Sequence, residues 1–227
     1  MLSQAEKGGV QNTIQNCVTV LQNDPILADS IRLNLLSERI DIVKPMGWQR
    51  SGPTLTDMDM MYILRRMEKY GLYSEKRVSA AIRIVANENH YHPIRDYLNE
   101  LKWDGTARIS RSLHRFLGAA EDELTTEALK IFLLGAIKRV FHPGCKFEMM
   151  LCLVGGQGAG KSSFFRLLAI KDEWFSDDLR RLDDDNVFRK LQGHWIMEMS
   201  EMIATANAKS IEEIKSFLSK QKETYKI

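Results

Sequence analysis

The sequence has no paired cysteines. Its three, Cys17, Cys145 and Cys152, lie far apart or inside apolar runs, with neither a CxxC nor a Cys/His ligand spacing, which argues against a disulfide framework and leaves reduced thiols in a cytoplasmic protein as the expectation. No run of 18 apolar residues is present, and the opening MLSQAEKGGV lacks the basic-then-apolar order of a secretory leader, so neither a membrane nor a secretory role is expected. A large charge imbalance is missing as well. The 227 residues carry 32 Lys+Arg and 30 Asp+Glu, divided as 13 basic and 13 acidic over 1–105 and 19 and 17 over 106–227. Any nucleic-acid contact must then come from a local patch. There is no internal repeat and no low-complexity tract. What remains, 44% hydrophobic and 27% charged, is ordinary globular composition, enough for one large domain or two small ones.

The first hundred residues read mainly as helices. Val10, Ile14, Cys17, Val18 and Leu21 share one helical face, with Asn12 as a candidate N-cap and Asn23-Asp24-Pro25 as a stop. From Ile31 the period becomes two: Ile31, Leu33 and Leu35 alternate, then Ile40 and Ile42, which predicts two short strands. Met60, Ile63, Leu64 and Met67 mark a helix begun near Thr56-Asp57 and ended at Gly71, and Val78, Ile82 and Val85 mark another. Small helices with a two-stranded ribbon suit a winged-helix-like module. HYHPIRDYLNELKWDGTARI reads as a junction, in which Pro93 starts a helix through Leu101 and Trp103-Asp104-Gly105 supplies a turn. The apolar positions between Leu129 and Phe141 predict the strongest amphipathic helix of the chain. FEMMLCLVGG, after His142-Pro143-Gly144, has the nearly continuous apolar character of a buried parallel strand.

That run leads into Gly155-Gly156-Gln157-Gly158-Ala159-Gly160-Lys161-Ser162, a full match to GxxxxGK[ST]. Glycines let consecutive backbone N–H groups turn inward around phosphate oxygens, and the helix that follows aims its positive end at the same anion. Gly155 to Ser163 are therefore the candidate ATP-binding residues. Lys161 is placed to reach the β- and γ-phosphates and Ser162 to ligate Mg²⁺. Hydrolysis also needs a carboxylate at the carboxyl end of a neighbouring strand. HWIMEMSE, after a probable helix (Val187, Phe188, Leu191) and Gly193, offers two. Glu198 reads as mid-strand, with either a structural partner or a second role at the metal, and Glu201 reads as lying where the strand ends, so position favours Glu201. Ser210-Ile-Glu-Glu213 then reads as the cap of a helix carrying Lys215. Only 37 positions separate Lys161 from Glu198, and neither NKxD nor LSGGQ occurs, which disfavours GTPases and transporter ATPases.

Other groupings carry less. His90 and His92 lack companions that would complete a metal site, and Asp183-Asp-Asp185 reads as a helix cap. Met58, Met60, Met61 and Met67 are at core spacing. Arg65-Arg66 with Lys76, Arg77 and Arg83 can be read as a DNA-facing patch or as a plain solvated face.

The stretches HYHPIRDYLNELKWDGTARI, FHPGCKFEMMLCLVGGQGAGKSSFFRLLA, EWFSDDL, LQGHWIMEMSEM and IEEIKSFLSKQKETYKI resemble the virulence-associated E (VapE-like) proteins of phages and mobile islands, from about Asn12 to the end. That family is similar to superfamily 3 helicases and phage primase-helicases, ring-shaped ATPases related to the AAA+ class that act on single-stranded DNA. The resemblance implies that Gly155 to Ser162 is the Walker A loop, that Glu201 is the Walker B glutamate with Glu198 completing an ExxE spacing, and that Lys215 contacts DNA. It implies ATP and Mg²⁺ as cofactors, single-stranded DNA as a partner and a homo-oligomeric ring.

Similar proteins continue beyond ETYKI into a sensor strand and an arginine finger, so an incomplete ATPase domain with weak or absent turnover is the expectation. The fold class expected is an α/β P-loop NTPase with a partial parallel sheet, preceded by a mainly helical domain. The boundaries read as 1–105 for that helical domain, 106–141 for a helical connection and 142–227 for the ATPase part. The function expected is an ATP-dependent DNA helicase or replication-initiation ATPase of a phage or mobile element. A second reading is a non-catalytic nucleotide-binding module that regulates a partner by assembly.

Overall fold

A computed structural model of the chain describes residues 2–4, 8–179, 187–200 and 208–219. Its contacts divide the chain into two units, Met1–Pro93 and Ile94–Ile227. The first unit opens with α1, Ile14–Asn23. The cap is Thr13, not Asn12: the Thr13 hydroxyl accepts the N–H of Asn16 at 3.2 Å, which is the third-residue donor a cap must reach. Strands β1, Ile31–Asn34, and β2, Arg39–Ile42, pair antiparallel as the alternation predicts, with Ile31 opposite Ile42 and Asn34 opposite Arg39. Tyr91 adds a bridge to Asn34, and Thr54 adds one to Asp41.

Helix α2, Asp57–Met67, begins in a capping box in which Thr56 and Asp59 satisfy each other's backbone N–H. A short 3₁₀ turn, Glu68–Tyr70, and Gly71 at φ +75° end it, where a left-handed backbone favours glycine. Helix α3 covers Glu75–Glu88 and packs on α1 and β1. The core of this unit gathers Cys17, Leu21, Ile31, Ile63, Met67, Leu72 and Ile82, all essentially inaccessible. Of the four methionines read as core, only Met67 and Met60 join it. Met58 and Met61 stand exposed, because at about 100° per residue they fall off the face formed by the inward positions 60, 63, 64 and 67 of α2. All three cysteines are free thiols, and burial pushes that of Cys17 up.

In the second unit, α4 (Pro93–Glu100) is followed by α5, Ile109–Leu117, and α6, Glu123–Phe141, which pack on each other. Helix α6 is longer than its apolar pattern and is not cleanly amphipathic. Leu129, Gly135 and Val140 are buried while Leu124 and Leu134 are exposed, since Ile131 and Leu134 add apolar side chains outside the stripe formed by positions 129 to 141. The run Phe147–Val154 forms no strand. Leu151 and Leu153 pack inward, and Cys152 and Val154 face solvent, so one face is covered and no neighbouring backbone among the described residues supplies a ladder.

The parallel pairing lies elsewhere, between β3, Phe175–Ser176, and β4, Ile196–Met197. Helix α7 covers Lys161–Leu168, α8 covers Val187–Leu191, and α9 covers Ala208–Ser219. Ser210 is thus inside α9 and does not cap it; Ala208 and Lys209, both good helix formers, carry the helix two residues further back. Asp183 to Asp185 lie outside the described residues.

The first unit buries three carboxylates, Asp24, Asp41 and Asp59; Asp41 accepts from Asn34 Nδ2 and Tyr91 Oη, and the other two are paired with arginines. Asp24 closes α1 and accepts from Arg66 Nε (2.5 Å), Tyr70 Oη (2.6 Å) and the backbone N–H groups of Ile26 and Leu27. Asp59 accepts from Trp48 Nε1 and Arg50 Nε, both at 2.8 Å, and from Thr56. Burial raises both carboxyls, but the convergent donors outweigh it: Asp24 is held at about 2 and Asp59 well below the usual carboxylate range. A carboxyl depressed on folding stabilises the native state above its unfolded pKa, and that contribution is lost as pH falls through the folded value. Stability of the first unit is therefore expected to decline between about pH 4 and pH 2. Asp24→Asn is expected to cost about 2 kcal/mol at neutral pH and to make that acid decline shallower, leaving the share owed to Asp59. Urea unfolding at a series of pH values checks this; an unchanged acid slope would contradict it.

Candidate functional site

The site is built around the start of α7. Phe164, on its first turn, is buried in a cluster with Leu113 of α5 and Leu129 of α6, joined by Leu151 and Leu153 from the preceding extended segment. Phe165 adds an edge-on contact to Phe132 of α6, 5.9 Å between centroids. Upstream, the segment is anchored by Phe147, whose ring lies against Gly135 so closely that a Cβ there would stand 2.2 Å from it. Arg139 donates to the Phe147 carbonyl at 3.0 Å. A helix-interior glycine costs about 1 kcal/mol in propensity, and close approach of the ring is what that cost allows.

Between these anchors the glycine loop stands open. Gly158 and Gly160 sit at φ +78° and +79°, where L side chains are strained. A Cβ added at Gly155, Gly156 or Gly158 would meet nothing within 4 Å, so these positions border open space. Gly160 caps α7 without a side chain, and the first helical bond is Phe164 N–H to the Gly160 carbonyl at 2.9 Å. The N–H groups of Lys161, Ser162 and Ser163 are thereby left without an acceptor in the helix. Three such donors at the positive end of a helix make an anion site. Lys161 folds back over it, its Nζ donating to the carbonyls of Gly155 (2.9 Å) and Gly156 (2.7 Å).

Across from the loop, β3 and β4 end together. Glu198 follows β4 directly, its N–H donating to the Ser176 carbonyl at 2.8 Å. Its side chain meets the loop helix: Ser162 Oγ donates to Glu198 Oε1 at 2.6 Å, while Oε2 is buried with no hydrogen-bond partner among the described residues. The mid-strand reading of Glu198 is thus corrected. The strand ends at Met197, and Glu198 occupies the carboxyl-end position that sequence reasoning gave to Glu201. A hydroxyl and a carboxylate in contact, with one carboxylate oxygen unsatisfied, are oxygen donors of the kind a hard divalent cation takes, and two of the roughly six or more it needs.

The structure therefore brings together Lys161, Ser162, Ser163 and Glu198 beside Gly155, Gly156, Gln157, Gly158, Ala159 and Gly160. Glu201 lies outside the described residues. Lys215, on α9, pairs with Glu212 of the same helix at 2.8 Å, exposed.

Several supporting residues escaped sequence reasoning. Trp174 is buried, edge-on to both Tyr97 and Trp195, and Trp195 Nε1 donates to the Ala136 carbonyl at 3.2 Å, which ties the β3–β4 pair to α6. Arg166 holds Asp172 through two bonds of 2.7 and 2.6 Å beyond the end of α7. The tryptophans, set just before the two strands, were the only available signal. Strands of two residues show no alternation.

With this geometry in place, comparison with known families is direct. The virulence-associated protein E-like domain matches residues 98–227, more than half of the chain, and the chain belongs to that family. No curated protein matches it.

Gly135→Ala tests the anchor of the loop. The added methyl must displace the Phe147 ring, so the variant is expected to lose about 1–3 kcal/mol of stability despite the better helix propensity of alanine. Gly135→Ala combined with Phe147→Ala, which vacates the space, is expected to lose less than the sum of the two single changes. Additive losses in thermal or denaturant unfolding would show that the ring contact is not the constraint.

Proposed function

We propose that the second unit is a P-loop ATPase element that binds magnesium–ATP on the 155–163 loop, and that the chain works as an ATP-dependent DNA helicase or replication-initiation ATPase of a phage or mobile element. The observation that carries this reading is the 2.6 Å hydrogen bond from Ser162, on the first turn of α7, to Glu198 at the end of β4, beside a glycine loop of the right spacing. Membership of the virulence-associated protein E-like family supports it, and so does the resemblance of that family to superfamily 3 helicases.

In this reading the free N–H groups of Lys161, Ser162 and Ser163 receive phosphate oxygens. Lys161 gives up the Gly155 and Gly156 carbonyls and turns its ammonium to the β- and γ-phosphates. Ser162 and Glu198 would hold the magnesium ion, which supplies neutralisation of charge on the phosphates. The unsatisfied Glu198 oxygen gains a partner in doing so. Glu201, three positions on, orients the attacking water, and Lys215 contacts single-stranded DNA in a homo-oligomeric ring. The 155–163 loop, the N-terminus of α7 and the β3–β4 edge then form one α/β nucleotide site.

Calorimetric titration with Mg²⁺ and a non-hydrolysable ATP analogue tests this. Saturable binding is expected, weakened at least about tenfold in Lys161→Ala through loss of a charge-assisted contact. Glu198→Gln is expected to retain the Ser162 contact but to lose most of the magnesium dependence of binding. Isotherms that are the same for the parent and Lys161→Ala, or no binding in either, would sink the proposal.

A further inference from the structure

Helix α3 of the first unit presents a stripe that the nucleotide site does not use. The helix buries Val78, Ala81, Ile82, Val85 and Ala86. On the opposite side Lys76, Ala80, Arg83 and Asn87 follow one another at spacings of four, three and four, with Lys76, Arg83 and Asn87 exposed and Ala80 half-buried. The acids of this helix stand away from the stripe: Glu75 and Glu88 project about 110° to either side by helix geometry, and Glu88 accepts from Gln22 Nε2 at 3.0 Å.

The arginines nearby differ from this pair. Arg66 and Arg50 are taken by buried Asp24 and Asp59, and Arg77 donates to the Asn12 carbonyl. Lys76 and Arg83, by contrast, enter no ion pair among the described residues.

We propose that α3 is a recognition helix that the first unit lays in the major groove of duplex DNA. The surrounding order supports this: α2, a seven-residue connection from Glu68 to Ser74 that opens with a 3₁₀ turn and passes through left-handed Gly71, and α3 follow the helix-turn-helix order with a longer turn, and the second helix of that motif enters the groove. The stripe from Lys76 to Asn87 is about 16 Å long and one side chain wide, the dimensions of a helix seated in that groove. Lys76 supplies a phosphate contact, Arg83 and Asn87 carry the donors that pair with guanine and adenine edges, and small Ala80 lets the helix backbone approach the bases. Single-stranded DNA would call for stacked aromatic platforms, and among the described residues of α3 and its N-terminal flank the one exposed aromatic ring is Tyr73, two residues before the helix. A protein partner would favour an apolar centre, where this stripe is polar and basic.

The test is fluorescence anisotropy of the full chain, without nucleotide, on a labelled random-sequence duplex of about two helical turns, over a range of salt concentrations. Duplex binding is expected at low salt and unchanged in Lys161→Ala, which separates this inference from the nucleotide site. Lys76→Ala with Arg83→Ala is expected to weaken it about tenfold or more and to flatten the slope of log affinity against log salt by about 2. Removing two charges elsewhere on the unit, Arg39→Ala with Lys44→Ala, is expected to leave most of the affinity. No duplex binding, equal losses in the two double variants, or tighter binding of the same strand unpaired would each overturn the proposal. Unchanged thermal unfolding of the exposed double variant separates lost contact from lost fold.

Discussion

Burial of Phe164 is the constraint on which the loop depends. The glycine segment has no packing of its own: its residues are exposed, and two of them hold left-handed backbone that nothing in the loop enforces. What fixes the loop is the position of its two ends. On one side Leu151 and Leu153 lie on the α5–α6 surface. On the other, Phe164 is driven into the same cluster three residues after the lysine. Burying one phenylalanine is worth about 2–3 kcal/mol, and because it sits on the first turn, that energy aims the free N–H end of α7. Glu198 is aimed independently, through Trp195 and its bond to α6. Ser162 and Glu198 meet because two separately anchored elements share α6 as their base.

The first unit obtains rigidity by a different route. Three carboxylates, Asp24, Asp41 and Asp59, are buried in it and would be costly if unpaired. Asp24 and Asp59 are each met by an arginine and by backbone or side-chain donors, so that Asp24 joins the end of α1 to α2 and Asp59 joins the start of α2 to the Trp48–Arg50 segment. The same bonds consume basic residues that the sequence presents as surface charge. Arg66 stands beside Arg65 in the chain, yet one lies over the Tyr62 ring and the other is turned inward to Asp24. Which cations remain for a partner is decided by this internal pairing.

Much of the local structure was legible in the sequence, and the reasons divide by length of interaction. The hairpin, α2, α3 and the glycine loop are specified by residues within a few positions of one another: alternation, a capping box, a left-handed glycine, a phosphate-loop spacing. Periodicity failed where the deciding partner is remote. FEMMLCLV has strand composition, but a strand exists only through a ladder, and this segment is covered on one face alone. Helix α6 looked amphipathic because the count passed over Ile131 and Leu134. Glu198 was placed mid-strand on apolar neighbours that extend past the two residues actually paired, and its contact with Ser162, across 36 positions, has no local signature. The placement of Glu198 therefore needed the strand end.

Lys161 completes the physical account of the loop. An ammonium beside three unpaired N–H donors would repel them were it not neutralised, and here its charge is met by the carbonyls of Gly155 and Gly156. These two bonds satisfy the lysine without satisfying the amides, so the loop holds its positive potential while its only mobile charge is parked on its own backbone. In the proposed nucleotide-bound state a phosphate oxygen would offer the ammonium a stronger acceptor than a carbonyl, since it carries a full opposite charge. At Gly155 and Gly156 a side chain would meet only open space. The open surroundings of these glycines and the folded-back lysine are thus two parts of one arrangement, in which the ammonium is held by bonds to the backbone of its own loop.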